Sequence, residues 1–117
     1  MLRASAESHN IAINLSAVTN SKLSSGLEHG DILLAFADAV TGSNQAEMET
    51  TRAELRERMG EGALVQASAI AANFSMNDRA ANAIGIPMES FFLADSVEFR
   101  ALLGINDFPS ARNTPGT

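Results

Sequence analysis

The chain has 117 residues, of which 45% are hydrophobic and only 5% aromatic, and it carries a formal net charge of −6. A chain of this length forms one domain with its own core, and an interior of Ala, Leu, Ile and Met favours helix packing over a sandwich or barrel. The acidity argues against nucleic acids and anionic membrane surfaces as partners, because both require a basic face.

The residue types that the sequence lacks exclude further classes of function. There is no cysteine, so the chain has no disulfide, no thiolate nucleophile and no thiolate metal site. No apolar run approaches the roughly 20 residues that span a bilayer, and the N-terminus does not have the pattern of a signal peptide. We therefore expect a cytoplasmic protein, with no cofactor and no resident metal.

Helical periodicity predicts about five helices in a single domain, residues 1–117. The first helix covers residues 5–18, and a connection rich in Ser and Gly follows it. Asp31 stands at the N-cap position of the second helix, which Gly42 ends. The inward stripe predicted for this second helix consists of Leu33, Phe36, Ala37 and Val40.

Ser43 or Asn44 caps the predicted charged third helix, and Glu47, three residues after Asn44, gives the spacing of a capping box. Glu54 and Arg58 are spaced for an ion pair within this helix. Gly60 and Gly62 predict a tight joint, with an antiparallel pair of helices on its two sides. The inward stripe predicted here consists of Met48, Thr51, Leu55 and Met59.

The longest predicted helix runs from Gly62 to Gly85 and is the central element of the fold. Its first half, from Ala63 to Ala72, is almost continuously apolar, so we expect other helices to enclose it on most sides. Gly85 is expected to close it in the left-handed conformation, before Pro87. A final helix is predicted from about Ser96 to Leu103, and the tail from about residue 109 is expected to be flexible.

The run RAELRERMGEGALVQASAIAANFSMNDRAANAIGIPME resembles the C-terminal part of the carboxymuconolactone decarboxylase and alkylhydroperoxidase D-like group. A charged helix, a short turn, an alanine-rich helix and a Gly-Ile-Pro closure follow one another as they do in that group. The upstream run ILLAFADAV is similar to the group's preceding helix. The matching positions are Phe74, Asn77, Asp78, Arg79, Ala83, Gly85, Ile86 and Pro87.

The resemblance implies an all-α fold that assembles into homo-oligomers, with peroxidase or lactone decarboxylase activity among its members. Redox members carry a Cys-x-x-Cys-x-x-x-His motif near the start of a helix. The resemblance places His9 and Ala12 at the two cysteine positions and Ser16 at the histidine position. Because a thiol peroxidase requires a sulfur nucleophile, we expect that this activity is lacking.

Several side chains have both a chemical and a structural interpretation. His9 and His29 are the only histidines, and each is either a surface residue or a general base or ligand. Glu28, His29 and Asp31 form at most a loose metal-ligand pattern, for which a surface loop is the favoured interpretation. Arg79 is expected to pair with a carboxylate within the protein or across a subunit interface, or to bind an anion.

The asparagines of the long helix and the Phe-Phe segment each have two possible roles. The amides of the long helix bond either to a neighbouring helix or to a ligand, and they are Asn73, Asn77 and Asn82. Phe91 and Phe92 belong either to the core or to an interface.

Two functions remain as hypotheses. The first is a cysteine-less relative of this group that acts as an oligomeric binding or assembly module. The alternative is a non-redox enzyme of the decarboxylase type, in which His9 and Arg79 are the catalytic residues and the ligand is a small organic acid or lactone. A homo-oligomer is expected in either case, because the two-sided apolar helix and the Phe-Phe segment need cover.

Overall fold

The computed structural model describes residues 8–116, and its regular structure is helical. The α-helices in this range are α1 (Gly30–Thr41), α2 (Gln45–Ile84), α3 (Ser90–Asp95) and α4 (Val97–Leu102). Short 3-10 turns lie at Leu15–Val18, Ile105–Asp107 and Pro109–Asn113, and no strand occurs among the described residues. The prediction of an all-α fold with a long central helix is therefore confirmed.

The chain divides into two units, Met1–Asn73 and Phe74–Thr117. The boundary falls inside α2, whose first part belongs to the first unit and whose last turns belong to the second. The expectation of a single domain stays a prediction.

The N-terminal segment does not form the helix predicted over residues 5–18, of which residues 5–7 lie outside the described range. Asn10 has a left-handed backbone with φ of 54°, and helical structure resumes only in the 3-10 turn that begins at Leu15. The Asn14 side-chain oxygen accepts a hydrogen bond from the Ser16 N–H at 3.1 Å, and the backbone N–H of Asn14 donates to the Ser25 carbonyl at 2.9 Å. Side-chain bonding of this kind competes with helix formation, which explains the difference.

Helix α1 begins two residues earlier than predicted. His29, with φ of 56°, is the N-cap residue, and Asp31 lies in the first turn. The assignment of Asp31 as the cap was wrong because its carboxylate bonds to Arg58 instead. The inward stripe is also shifted: Ile32 is buried with Phe36, whereas Ala37 is exposed.

Helix α2 contains the predicted joint, but the joint is a single residue. Gly60 has φ of 86° and ψ of 170°, and it is the one non-helical position between Gln45 and Ile84. Gly62, predicted to be part of the joint, is helical. The capping residue is confirmed, since the Asn44 carboxamide oxygen accepts from the N–H groups of Ala46 and Glu47 at 3.1 and 3.3 Å.

The core of the first unit lies where α1 meets both parts of α2. Leu55 is 0% exposed, and it shares a cluster with Ile32, Phe36 and Leu64. Met48 and Met59 pack against this cluster at the edge, as the predicted stripe of the charged helix requires. Burial of these side chains supplies the hydrophobic stabilisation of the unit.

The alanine-rich half of α2 is not enclosed on most sides, contrary to expectation. Leu64 is buried and Ala67 packs against the core, but Val65 is 65% exposed and Ile70 is also exposed. Within the first unit only one face of this segment has a core to pack against. Alanine-rich composition therefore indicated a helix correctly and its burial incorrectly.

The second unit begins with the last turns of α2. Gly85 has φ of 74°, and the N–H groups of Gly85 and Ile86 both donate to the Ala81 carbonyl at 3.0 Å, so the predicted left-handed closure is confirmed. Helix α4 and Gly104, with φ of 63°, match the predicted final helix and its stop. Helix α3 was not predicted as a separate element.

The tail has a defined attachment in the structure. A 3-10 turn spans Pro109–Asn113, and Thr114 is buried. The Met88 N–H donates to the Thr114 hydroxyl oxygen at 2.8 Å. The expected flexibility stays a prediction, but this bond fixes the tail at Thr114.

Candidate functional site

The residues at the family's redox positions lie in irregular structure. His9 occupies a turn and hydrogen-bonds through Nδ1 to the Ser8 hydroxyl at 3.0 Å. Ala12 is in an exposed, non-helical segment, and Ser16 lies in the 3-10 turn. Redox members of the resembled group carry their motif at the start of a helix, so this segment differs from them in backbone as well as in side chains.

The other group of family-motif positions lies near the C-terminal end of α2. Phe74, Asn77, Asp78 and Arg79 are all exposed, and the Arg79 Nε donates to the Ser75 hydroxyl at 3.3 Å. No carboxylate of residues 8–116 lies within ion-pair distance of Arg79. The predicted pairing of Arg79 inside the chain is therefore not found in the described part. His9 belongs to the first unit and Arg79 to the second.

The amide side chains of α2 divide between the two earlier interpretations. Asn82 accepts a hydrogen bond from the Asn113 side chain at 3.3 Å, which is a structural bond within the second unit. Asn73 and Asn77 are exposed. His29 Nε2 lies 3.7 Å from a carboxylate oxygen of Glu28, but no group of three or more acidic or histidine side chains in residues 8–116 is arranged to hold a metal ion.

A groove of about 460 Å³ lies in the first unit, and we call it the Asp38 groove. Three segments form it: the loop before α1, the outer face of α1, and the first turns of α2. The loop is held by its own serines, since Ser24 and Ser25 accept backbone N–H bonds at 3.2 Å. The lining residues are Ala17, Ser21, Leu23, Ser24, Ser25, Leu27, Asp31, Leu34, Ala35, Asp38, Glu47 and Thr51.

The charged residues of the Asp38 groove are all acidic. Asp31 is neutralised by Arg58, which donates from two nitrogens to its two oxygens at 2.8 and 2.9 Å. This bidentate hydrogen bonding lowers the pKa of the Asp31 carboxyl from its usual 3.8 to about 2. The hydrogen bonds that Arg58 donates to the Asp31 and Glu54 carboxylates raise the pKa of Arg58. The carboxylates of Asp38 and Glu47 have no such partner among the described residues.

The second unit exposes an unusually large share of its apolar side chains. No large apolar side chain between residues 74 and 116 is buried, and ten of them are between 38% and 75% exposed. Phe91 and Phe92 stack with ring centroids 4.1 Å apart and still face solvent. We call this set the second-unit apolar surface: Phe74, Met76, Ile84, Ile86, Met88, Phe91, Phe92, Val97, Leu102 and Phe108.

Arg100 is the most buried side chain of the second unit, with 5% exposure. It donates to the Ser96 hydroxyl at 3.0 Å, the Asn106 carboxamide oxygen at 2.9 Å and the Leu93 carbonyl at 3.0 Å. These bonds tie α3, α4 and the following 3-10 turn together. The polar centre of this unit is thus better defined than any apolar one.

Sequence reasoning missed both the Asp38 groove and Arg100. The groove combines a loop, a helix face and a helix start, so no single local motif indicates it. Arg100 has one local signal, since Ser96 precedes it by one helical turn. Its other partners follow from the turn after α4, whose course the sequence pattern did not specify.

Comparisons with protein-family models, with curated proteins and with solved structures found no match. Among the helices that the structure describes, none is both long enough and apolar enough to cross a membrane.

Proposed function

We propose that this chain is a self-assembling module, a cysteine-less relative of the carboxymuconolactone decarboxylase and alkylhydroperoxidase D-like group without thiol peroxidase activity. The observation that carries the proposal is the second-unit apolar surface. The unit to which it belongs has no buried large apolar side chain among its described residues. A second copy of the chain supplies the missing cover.

The size of the second unit supports self-assembly. Units near or below about 40 residues are usually stabilised by disulfides, metals or oligomerisation, because they bury too little apolar surface alone. The chain has no cysteine, so a disulfide is not available. Phe91 and Phe92 are in contact with each other and both exposed, and adjoining exposed apolar side chains commonly mark a protein interface.

The charge distribution favours a second copy as the partner. The chain carries a net charge of −6, yet residues 62–77 and 80–88 contain no charged side chain. Two copies can therefore meet along this part of the chain without opposing like charges. Asp78 and Arg79, which lie between these stretches, form an adjacent pair of opposite sign that a twofold axis makes self-complementary.

The closure of the alanine-rich helix supports the family part of the proposal. Gly85 takes the left-handed conformation, and Ile86 and Pro87 follow outside the helix, as the resemblance implies. A cytoplasmic location belongs to the same proposal. The decarboxylase-type enzyme stays the alternative, and a ligand experiment described below tests it.

Light scattering on a sizing column tests the assembly. We expect a native mass of at least twice the 12.3 kDa of one chain. Replacing Phe91 and Phe92 by serine should reduce the native mass to that of one chain. Val18→Ser is the matched control, because Val18 and Phe92 are equally exposed at 51% but Val18 lies in the first unit. A monomeric wild-type chain at tens of micromolar contradicts the proposal.

A further inference from the structure

We propose that the Asp38 groove binds a small organic cation, a protonated amine carried on a short aliphatic body. The proposal goes beyond self-assembly, because it rests on a cavity of the first unit and not on the second-unit apolar surface. It names a class of ligand that the sequence did not suggest.

The size and construction of the groove are those of a binding site for a small molecule. Its volume of about 460 Å³ falls within the range of roughly 300–1,000 Å³ that is usual for ligand pockets. Its walls come from a loop and from two helices joined by the Arg58–Asp31 pair. The walls are therefore held in place before a ligand binds, which lowers the cost of ordering them on binding.

The apolar part of the lining determines the body of the ligand. Leu23, Leu27 and Leu34 contribute aliphatic surface, with Ala17 and Ala35 beside them, and no aromatic ring lines the cavity. Such a lining gains free energy by removing an aliphatic chain from water. It offers no stacking surface for a planar aromatic ligand.

The polar part of the lining determines the charge of the ligand. Asp38 and Glu47 face the groove with carboxylates that no described residue pairs, and no Lys, Arg or His lines it. Arg58, which pairs with the third acidic lining residue, already donates to both oxygens of Asp31. An ammonium group donates charge-assisted hydrogen bonds to carboxylates of this kind. A carboxylate ligand is repelled, so the small organic acid implied by the family resemblance does not suit this cavity.

Three probes of equal chain length distinguish the charge requirement from simple apolar binding. Hexylammonium, hexanol and hexanoate are titrated into the ¹⁵N-labelled full-length chain, and amide shifts are followed by NMR. We expect saturable shifts for hexylammonium at the amides of Leu23, Leu34, Asp38 and Glu47. Hexanol should bind at least about tenfold more weakly and hexanoate should not bind.

Isosteric variants test whether the two carboxylates are responsible. Asp38→Asn and Glu47→Gln should each weaken hexylammonium binding about tenfold. Glu57→Gln removes the same charge from an exposed position of α2 outside the groove, and it should leave the affinity unchanged. Ala35→Leu fills the cavity without changing its charge and should also abolish binding.

Three results would overturn the proposal. They are the absence of saturable shifts with hexylammonium, equal binding of hexanoate, and equal losses in Glu57→Gln and in the groove variants, which would indicate a general attraction of cations to an acidic chain. A monomeric native mass has no bearing on these readouts. The failure of self-assembly and the failure of the groove are thus separate outcomes.

Discussion

Arg58 and Asp31 form a bidentate ion pair that joins the charged part of α2 to the first turn of α1. The guanidinium donates to both carboxylate oxygens at 2.8 and 2.9 Å, and the same Arg58 also donates to Glu54 at 3.0 Å. The pair links residues that are 27 positions apart in the chain. It therefore fixes one wall of the Asp38 groove against another.

Arg58→Gln should return the pKa of Asp31 from about 2 toward 3.8, because the hydrogen bonds that favour the charged carboxylate are lost. Since the folded pKa is the lower one, the pair stabilises the native state fully above about pH 4 and loses this effect as the pH falls toward 2. A carboxyl-carbon NMR titration measures the change. In Arg56→Gln, which breaks the Glu61 pair at 2.8 Å instead, the pKa of Asp31 should not move.

Leu55→Ala should lower the free energy of unfolding by about 2–5 kcal/mol, because it opens a cavity at a side chain with 0% exposure. Val65→Ala is the control on the same helix. Its side chain is 65% exposed, so the change should stay within about 0.5 kcal/mol. Urea denaturation measures both variants, and similar values for the two would show that Leu55 is not the centre of the core.

Gly60→Ala should cost about 1–3 kcal/mol through backbone strain alone. Its φ of 86° and ψ of 170° are accessible essentially to glycine, whereas a Cβ built there meets no atom within 4 Å. Gly62→Ala has equally open surroundings but a helical backbone, so it should stabilise by about 0.5–1 kcal/mol. We expect the two substitutions to change the free energy of unfolding in opposite directions, as measured by thermal or urea unfolding. A Gly60→Ala variant as stable as the unsubstituted chain would contradict the left-handed backbone at Gly60.

Arg100→Lys should loosen the second unit, because an ammonium cannot reproduce the planar set of three bonds to Ser96, Asn106 and Leu93. We expect a loss of about 1–3 kcal/mol in protection, measured by hydrogen exchange of amides between residues 88 and 114. Arg112→Lys, at an exposed position, should leave exchange unchanged. Equal exchange in the two variants would mean that Arg100 does not organise this unit.

A thermal-shift panel of small organic acids and lactones tests the alternative enzyme. Self-assembly without catalysis predicts no stabilisation by any of these compounds. A decarboxylase-type site predicts stabilisation by mass action, and Arg79→Ala should abolish it. A concentration-dependent shift that Arg79→Ala removes would favour the enzyme.

Local sequence signals identified most helices and their ends. Asn44 and Gly85 act through bonds to neighbouring backbone groups, so their roles follow from nearby residues alone. The Glu54–Arg58 pair, at 3.0 Å, is likewise set by helical spacing. The N-terminal helix failed because Asn14 formed a competing side-chain bond to the backbone.

The candidate site was less predictable than the fold. His9 and Arg79 were selected from a resemblance, and the structure assigns them to different units. The Asp38 groove combines residues from three segments, and its charge depends on which carboxylates find a cation. Asp31 pairs with Arg58, whereas Asp38 and Glu47 have no cationic partner among the described residues. Helical periodicity does not predict that difference.

The all-α class, the main breaks and the lack of a thiol follow from the sequence alone, because composition, backbone preference and residue chemistry act locally. Which faces are buried follows from the folded chain. Leu55 and Val65 lie on the two sides of the Gly60 break and are 0% and 65% exposed, since burial depends on whether another segment packs against that face. For the same reason, the uncovered second-unit apolar surface and the acidic groove became visible only in the folded chain.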